Sequence, residues 1–154
     1  DYFHFQLLNT ILGGYFGSRL MANIREDKGY TYGIGSGMAV LQETGYFFIS
    51  TEVGKDVKEE TMTEIHKELK LLTEELITED ELMKVKNYML GEFLRHADGS
   101  LSQMEMFKNI YFNDLKETYY FDFIQAVHDA TLPGLKRLAE KYLNPKDMLT
   151  VISG

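Results

Sequence analysis

The chain has 154 residues, 44% of them hydrophobic and 26% charged, with two prolines, no tryptophan and no cysteine. This suits one domain with a real core, and it excludes disulfides and thiolate-held metals. The formal net charge of −8 argues against nucleic acid, whose phosphates call for a basic face. No apolar run reaches the length of a membrane span, so a soluble protein is expected, cytoplasmic or periplasmic, with the compartment open.

The first element is a helix over Tyr2 to Leu12, with Phe5, Leu8, Ile11 and Leu12 on one side. Gly13, Gly14 and Gly17 then break the pattern. Ser18 is placed to cap a second helix, whose last turn carries Arg25 and is followed by Lys28, where a cation suits the helix dipole. Gly29 is the natural left-handed residue that stops it.

Two strands follow, Tyr30 to Leu41 and Tyr46 to Val53, joined through Gln42 to Gly45 as an antiparallel hairpin. Along the first strand Tyr30, Tyr32, Ile34, Ser36, Met38 and Val40 share one face. Thr31, Gly33, Gly35, Gly37, Ala39 and Leu41 share the other. The glycine face is expected to receive a closely packed helix.

From Lys55 onward the pattern is helical. Asp56 with Glu59 resembles a capping box, ahead of a buried stripe of Val57, Thr61, Ile65, Leu69, Leu72 and Leu76. Thr78 with Glu81 opens the next helix, with Leu82, Val85, Met89 and Phe93 inward. Ser100 with Gln103 opens a third, carrying Met104, Phe107 and Tyr111. Glu117 to Ala130 forms a fourth. Thr131 caps a fifth, with Leu135, Leu138, Ala139 and Tyr142 inside and Asn144-Pro145 at its end. Met148 to Ser153 reads as a closing strand. Strands and helices are segregated, so the fold class is α+β, an antiparallel-rich sheet packed by helices. Three strands are few for so many apolar helix faces.

The polar residues offer little ready-made chemistry. The four histidines, His4, His66, His96 and His128, have no second histidine at zinc-motif spacing, and His66-Lys-Glu-Leu-Lys70 is neither H-E-x-x-H nor H-x-x-E-H. No metal is expected on this chain, since a catalytic zinc needs three protein ligands and an open position. His96 and Asp98 lack a nucleophile motif. The glycines at 13, 14 and 17 lack the preceding strand and following Gly-Lys-Ser/Thr of a phosphate loop. Arg25 and Tyr32 flank a tight turn. Read from the residues alone, Arg25 pairs with Glu26 or Asp27, and Tyr32 is a half-buried strand aromatic.

Leu12-Gly13-Gly14, Ser18-Arg19-Leu20, Arg25-Glu26, Lys28-Gly29 and Tyr32 together resemble the helix-turn-strand of the insulinase/pitrilysin-type zinc metallopeptidases, whose zinc motif is the inverted H-x-x-E-H. The resemblance runs over essentially the whole chain. It implies a single carboxyl-side or non-zinc domain, residues 1–154, that lacks its opening strands. It also implies that Arg25 and Tyr32 form the accessory pair that clamps an extended peptide substrate. The zinc, the cofactor of the family, would then be supplied by a zinc-bearing partner domain or subunit. The same pattern fits an alternative, a catalytically silent member kept for structure or assembly.

Overall fold

A computed structural model describes residues 1–41 and 44–154. Helix α1, Tyr2–Asn9, runs on into a wider π-type segment, Thr10–Gly14. Leu7, Leu8, Ile11 and Leu12 on this rod are all but inaccessible, and each contributes about 2 kcal/mol by leaving water. The rod is central because α3, α5, α6 and the first strand all pack on it.

After a turn comes a second π-type helix, Met21–Asp27, which buries Ile24. The hairpin follows: β1, Ile34–Val40, pairs antiparallel with β2, Gly45–Thr51, in a register that sets Ser36 opposite Ile49 and Met38 opposite Phe47. Ile34, Met38, Phe47 and Ile49 lie against the helices. The Phe5 ring meets Phe47 at 5.7 Å and Tyr142 at 5.4 Å, both edge-on, tying hairpin to helix. Gly13 lets β1 come in close: a Cβ there would sit 2.6 Å from the Ser36 nitrogen.

Five helices complete the chain: α2, Lys58–Glu74; α3, Glu79–Ala97; α4, Ser100–Phe112; α5, Tyr119–Asp129; and α6, Leu132–Tyr142. Thr78 and Thr131 cap α3 and α6 as expected, accepting from the Glu81 and Gly134 nitrogens. The α+β class holds, as two antiparallel strands against a helical body.

Several local expectations are corrected. The glycine face of β1 receives a helix at one point only: a Cβ on Gly35 would stand 3.4 Å from the Gly13 carbonyl of the π-type segment, whereas Gly37 lies under the Phe48 ring of the neighbouring strand. Asp56 and Glu59 form no capping box, because a 3-10 turn, Lys55–Val57, delays α2 to Lys58. Ser18 accepts the Ala22 N–H through its carbonyl, while its buried hydroxyl has no hydrogen-bond partner among the described residues. Leu76 is exposed because α2 ends at Glu74 and the chain turns away in an extended conformation. Tyr142 is also exposed, its hydroxyl donating to Asp1. Ser100 lies inside α4 behind Gly99, and Gln103 reaches back to the Ala97 carbonyl. No residue of α4 is buried, so Met104, Phe107 and Tyr111 face outward. The segment from Met148 is extended at its start but pairs with no strand among the described residues; a strand exists only through such pairing. The predicted connector's Gln42 and Glu43 lie outside the described residues.

Candidate functional site

The π-type helix Met21–Asp27 ends at the expected glycine. Gly29 adopts φ +65°, the left-handed region that only glycine enters freely. The Tyr30 N–H then reaches back to the Ile24 carbonyl at 3.0 Å and the Gly29 N–H to the Arg25 carbonyl at 3.2 Å. This is a Schellman-type stop, with Ile24 and Tyr30 both set against the core. It turns the chain sharply between Arg25 and Tyr32.

Arg25 lies in the last turn of that helix, where its positive charge suits the carbonyl end. Its Nη1 meets the Glu26 carboxylate at 2.6 Å, and its guanidinium carbon stands 4.9 Å from the centre of the Phe16 ring. The local pairing with Glu26 that the residues alone suggest is therefore present. Lys28 pairs with Asp27 at 3.2 Å, and that hydrogen bond pushes its ammonium pKa upward.

Tyr32 departs from the strand expectation. β1 begins two residues later, at Ile34, and Tyr32 is fully exposed at the crest of a bend. Tyr30 and Tyr32 do not share a face after all: Tyr30 packs on the core and Tyr32 projects outward. Two hydroxyls set the bend. Thr31 Oγ1 donates to the Glu52 carbonyl at 2.7 Å and accepts the Gly33 N–H at 3.1 Å. Thr51 Oγ1, 3.0 Å from the Gly33 carbonyl, stitches the same loop to the end of β2. Thr31 and Thr51 were not singled out from sequence, although Thr31-Tyr32-Gly33 is the spacing of a threonine side-chain turn. Phe16 was missed too, since its contact with Arg25 crosses a turn and a helix.

Arg25 and Tyr32 are not hydrogen-bonded to each other; Arg25 stands on the helix and Tyr32 on the bend that follows its glycine stop. The guanidinium keeps N–H groups beyond the one that meets Glu26, and the phenol carries one O–H. The arrangement suits binding to carbonyl oxygens and does not suit activating water.

A cleft of about 550 Å³ opens beside the same helix, lined by Arg19, Asn23, Asp27, Lys28, Lys67 and Glu68 among others, and neither Arg25 nor Tyr32 lines it. Its polar groups satisfy one another. The Asn23 amide donates to Glu64 at 2.9 Å and to Glu68 at 2.7 Å, and Lys67 pairs with Glu64 at 3.2 Å. The Asn23 bond, then Lys67, draw the Glu64 carboxyl below its usual pKa. It reads as a seam joining the helix to α2.

The histidines are dispersed. His4, His66, His96 and His128 stand on α1, α2, α3 and α5, and among the described residues no three His, Cys, Asp or Glu side chains converge to hold a metal. The donor set does not fit zinc. No described helix is long and apolar enough to cross a membrane.

Residues 1–89 match the family described as Peptidase M16 inactive domain, a segment that includes both Arg25 and Tyr32. Over 98 residues the chain is 31% identical to the uncharacterized zinc protease YmxG of Bacillus subtilis, covering 64% of this chain and 24% of that protein. Over 89 residues it is 33% identical to an uncharacterized zinc protease of Rickettsia felis, covering 58% of this chain and 21% of the other. It thus spans under a quarter of the length of these curated relatives. The crystal structure of the peptidase M16 inactive domain from Pseudomonas fluorescens superimposes with a TM-score of 0.83 at 29% identity, over 94% of this chain and 34% of that one.

Proposed function

The chain belongs to the peptidase M16 inactive-domain family, and from that premise we propose that it holds an extended peptide for a zinc-bearing domain or subunit to cleave. Arg25 and Tyr32 are the donors. As an amide is attacked, negative charge grows on its carbonyl oxygen, and donors already aimed at that oxygen or its neighbours stabilise the transition state. The phenol of Tyr32 donates to one carbonyl, and the permanently charged Arg25 holds another. In this reading the partner supplies the metal and the base that activates water; among the described residues of this chain no three ligating side chains converge.

The observation that carries this reading is the projection of Tyr32. A large aromatic is wholly exposed on a bend that two threonines pin, and the helix ahead of that bend carries an arginine held near an aromatic ring. A partner is further supported by surface area. The chain exposes 10271 Å² for 17.8 kDa, about 2,000 Å² more than a folded monomer of its mass. One partner contributes about 800 Å² to a standard interface, so the excess is more than enough for one.

The test is cleavage of a quenched fluorescent peptide by the complete protein together with its zinc-bearing half, with and without a zinc chelator. Tyr32→Phe should lower kcat about 10²-fold or more, as loss of a transition-state donor does, with circular dichroism unchanged. Wild-type kcat in Tyr32→Phe would sink the proposal. The competing account is a catalytically silent assembly role, which the outward apolar stripe on α4 favours. It requires no cleavage and no retained zinc in the same assay.

A further inference from the structure

We infer that Phe16 is a positioning residue for Arg25, its ring holding the guanidinium in place so that the N–H groups Glu26 leaves free can meet the peptide. The inference rests on the peptide-holding role proposed for Arg25. Phe16 occupies the turn between the two π-type helices, in which the Ser18 N–H returns to the Tyr15 carbonyl at 3.2 Å. The turn is anchored below by Tyr15, whose ring packs on Tyr88 of α3 at 4.7 Å, and behind by Ser18 and Leu20, both buried. Phe16 itself is 66% exposed. An apolar ring that takes so little part in the core is not there to stabilise the fold. What it touches is the Arg25 guanidinium, 4.9 Å from the ring centre.

Chemically the two contacts of Arg25 divide its surface. Glu26 takes one edge at 2.6 Å. Phe16 supplies an aromatic ring whose centre lies 4.9 Å from the guanidinium carbon, where the cation is attracted to the ring quadrupole. The N–H groups that Glu26 does not take are thereby held close to one spot by the ring. An exposed arginine without such a platform samples many rotamers, and a carbonyl bound to it must first freeze them. A ring already in place reduces that loss and keeps the donor from swinging away with Glu26.

The experiment combines kinetics and spectroscopy on the complete protein with its zinc-bearing half. Phe16→Leu keeps apolar bulk and removes the quadrupole; Phe16→Tyr keeps it. The expected result is a loss in kcat/KM of about two- to fivefold for Phe16→Leu, the scale of an exposed cation–π contact, with rescue by Phe16→Tyr. In an Arg25→Gln background, Phe16→Leu should cost nothing more. Independently of activity, the Arg25 side-chain protons should show upfield ring-current shifts in wild type and Phe16→Tyr that vanish in Phe16→Leu. Equal losses from Phe16→Leu in the wild-type and Arg25→Gln backgrounds, or no ring-current shift in wild type, overturn the positioning role while leaving the peptide-holding reading standing. Unaltered cleavage in Arg25→Gln removes the peptide-holding reading itself, and the catalytic part of this inference with it.

Discussion

Arg19 reaches from the glycine corner to Glu81 at the head of α3 with two parallel hydrogen bonds of 2.7 Å each, Nε to one carboxylate oxygen and Nη2 to the other. Both side chains are mostly buried, 21% and 27% exposed. The hydrogen bond to Glu81 raises the guanidinium pKa against the opposing effect of burial. Arg19 therefore locks the helix that carries Arg25 onto the helical body, and it does not face a peptide. Lysine cannot reproduce the fork. Arg19→Lys should destabilise the chain by about 1–2 kcal/mol, the loss of one charge-assisted bond in a half-buried pair. Urea unfolding is expected to show a lower midpoint at unchanged slope; an unmoved midpoint would refute the locking role.

The threonine stitch under Tyr32 makes a second prediction. Thr31→Val keeps shape and removes the hydroxyl that meets Glu52 and Gly33. Stability should fall by about 1 kcal/mol. The larger effect is on geometry: Tyr32 has no packing of its own to hold it, so loosening the bend should cut kcat about as severely as a small misplacement of a donor does, ~10-fold or more. Thr31→Ser should restore most of it. If Thr31→Val lowers stability and leaves kcat alone, Tyr32 is oriented by something other than this bend.

Much of this was legible in the sequence because local rules and tertiary packing agree. Gly29, Thr78 and Thr131 sit where a left-handed stop and two caps require those residue types. The apolar repeat in α1, α2 and α6 marks their buried sides. What failed did so where the answer lies in a neighbour. The capacity of Glu81 to close a capping box is taken by Arg19, distant in sequence. Tyr32 looks like a strand residue until Thr51, on the next strand, bends the segment. The glycine face of β1 predicts a closely packed helix; the π-type segment meets it at Gly35 alone, and Phe48 from the paired strand covers Gly37. The α4 stripe has a helical period, and period alone does not say whether anything covers it.

That stripe is a stability prediction with a sign. Leu101, Met104, Phe107 and Tyr111 follow one side of α4 and each is more than half exposed. Phe107→Ser together with Tyr111→Ser should change the unfolding free energy of the chain by less than about 1 kcal/mol, as surface substitutions do. It should also lower binding of a dye that reports exposed apolar surface. Leu135→Ala in α6, where the side chain is 1% exposed, should cost about 2–5 kcal/mol by transfer and cavity formation. A large destabilisation from the double serine variant would mean that α4 packs inward in solution.

The last prediction concerns alkaline pH. Tyr119 opens α5 with its ring edge-on to Phe3 at 5.1 Å. Burial chiefly, then the Tyr2 hydroxyl, pushes its phenol up to about 12, against about 10 for a tyrosine in the unfolded chain. Between those values the unfolded chain has shed a proton that the folded chain retains, so folding loses ground. The contribution is complete below pH 10 and disappears as pH climbs through about 12. Tyr119→Phe abolishes this titration, and its stability should decline less steeply than wild type across that window. It should flatten the decline without removing it, because Tyr15 is also raised, first by its own burial and then by Glu81. Difference absorbance at 295 nm between wild type and Tyr119→Phe isolates the one phenol. A midpoint near 12 is expected. A midpoint near the ordinary value of about 10 would mean that the contact of α1 with α5 through Phe3 and Tyr119 opens freely to water.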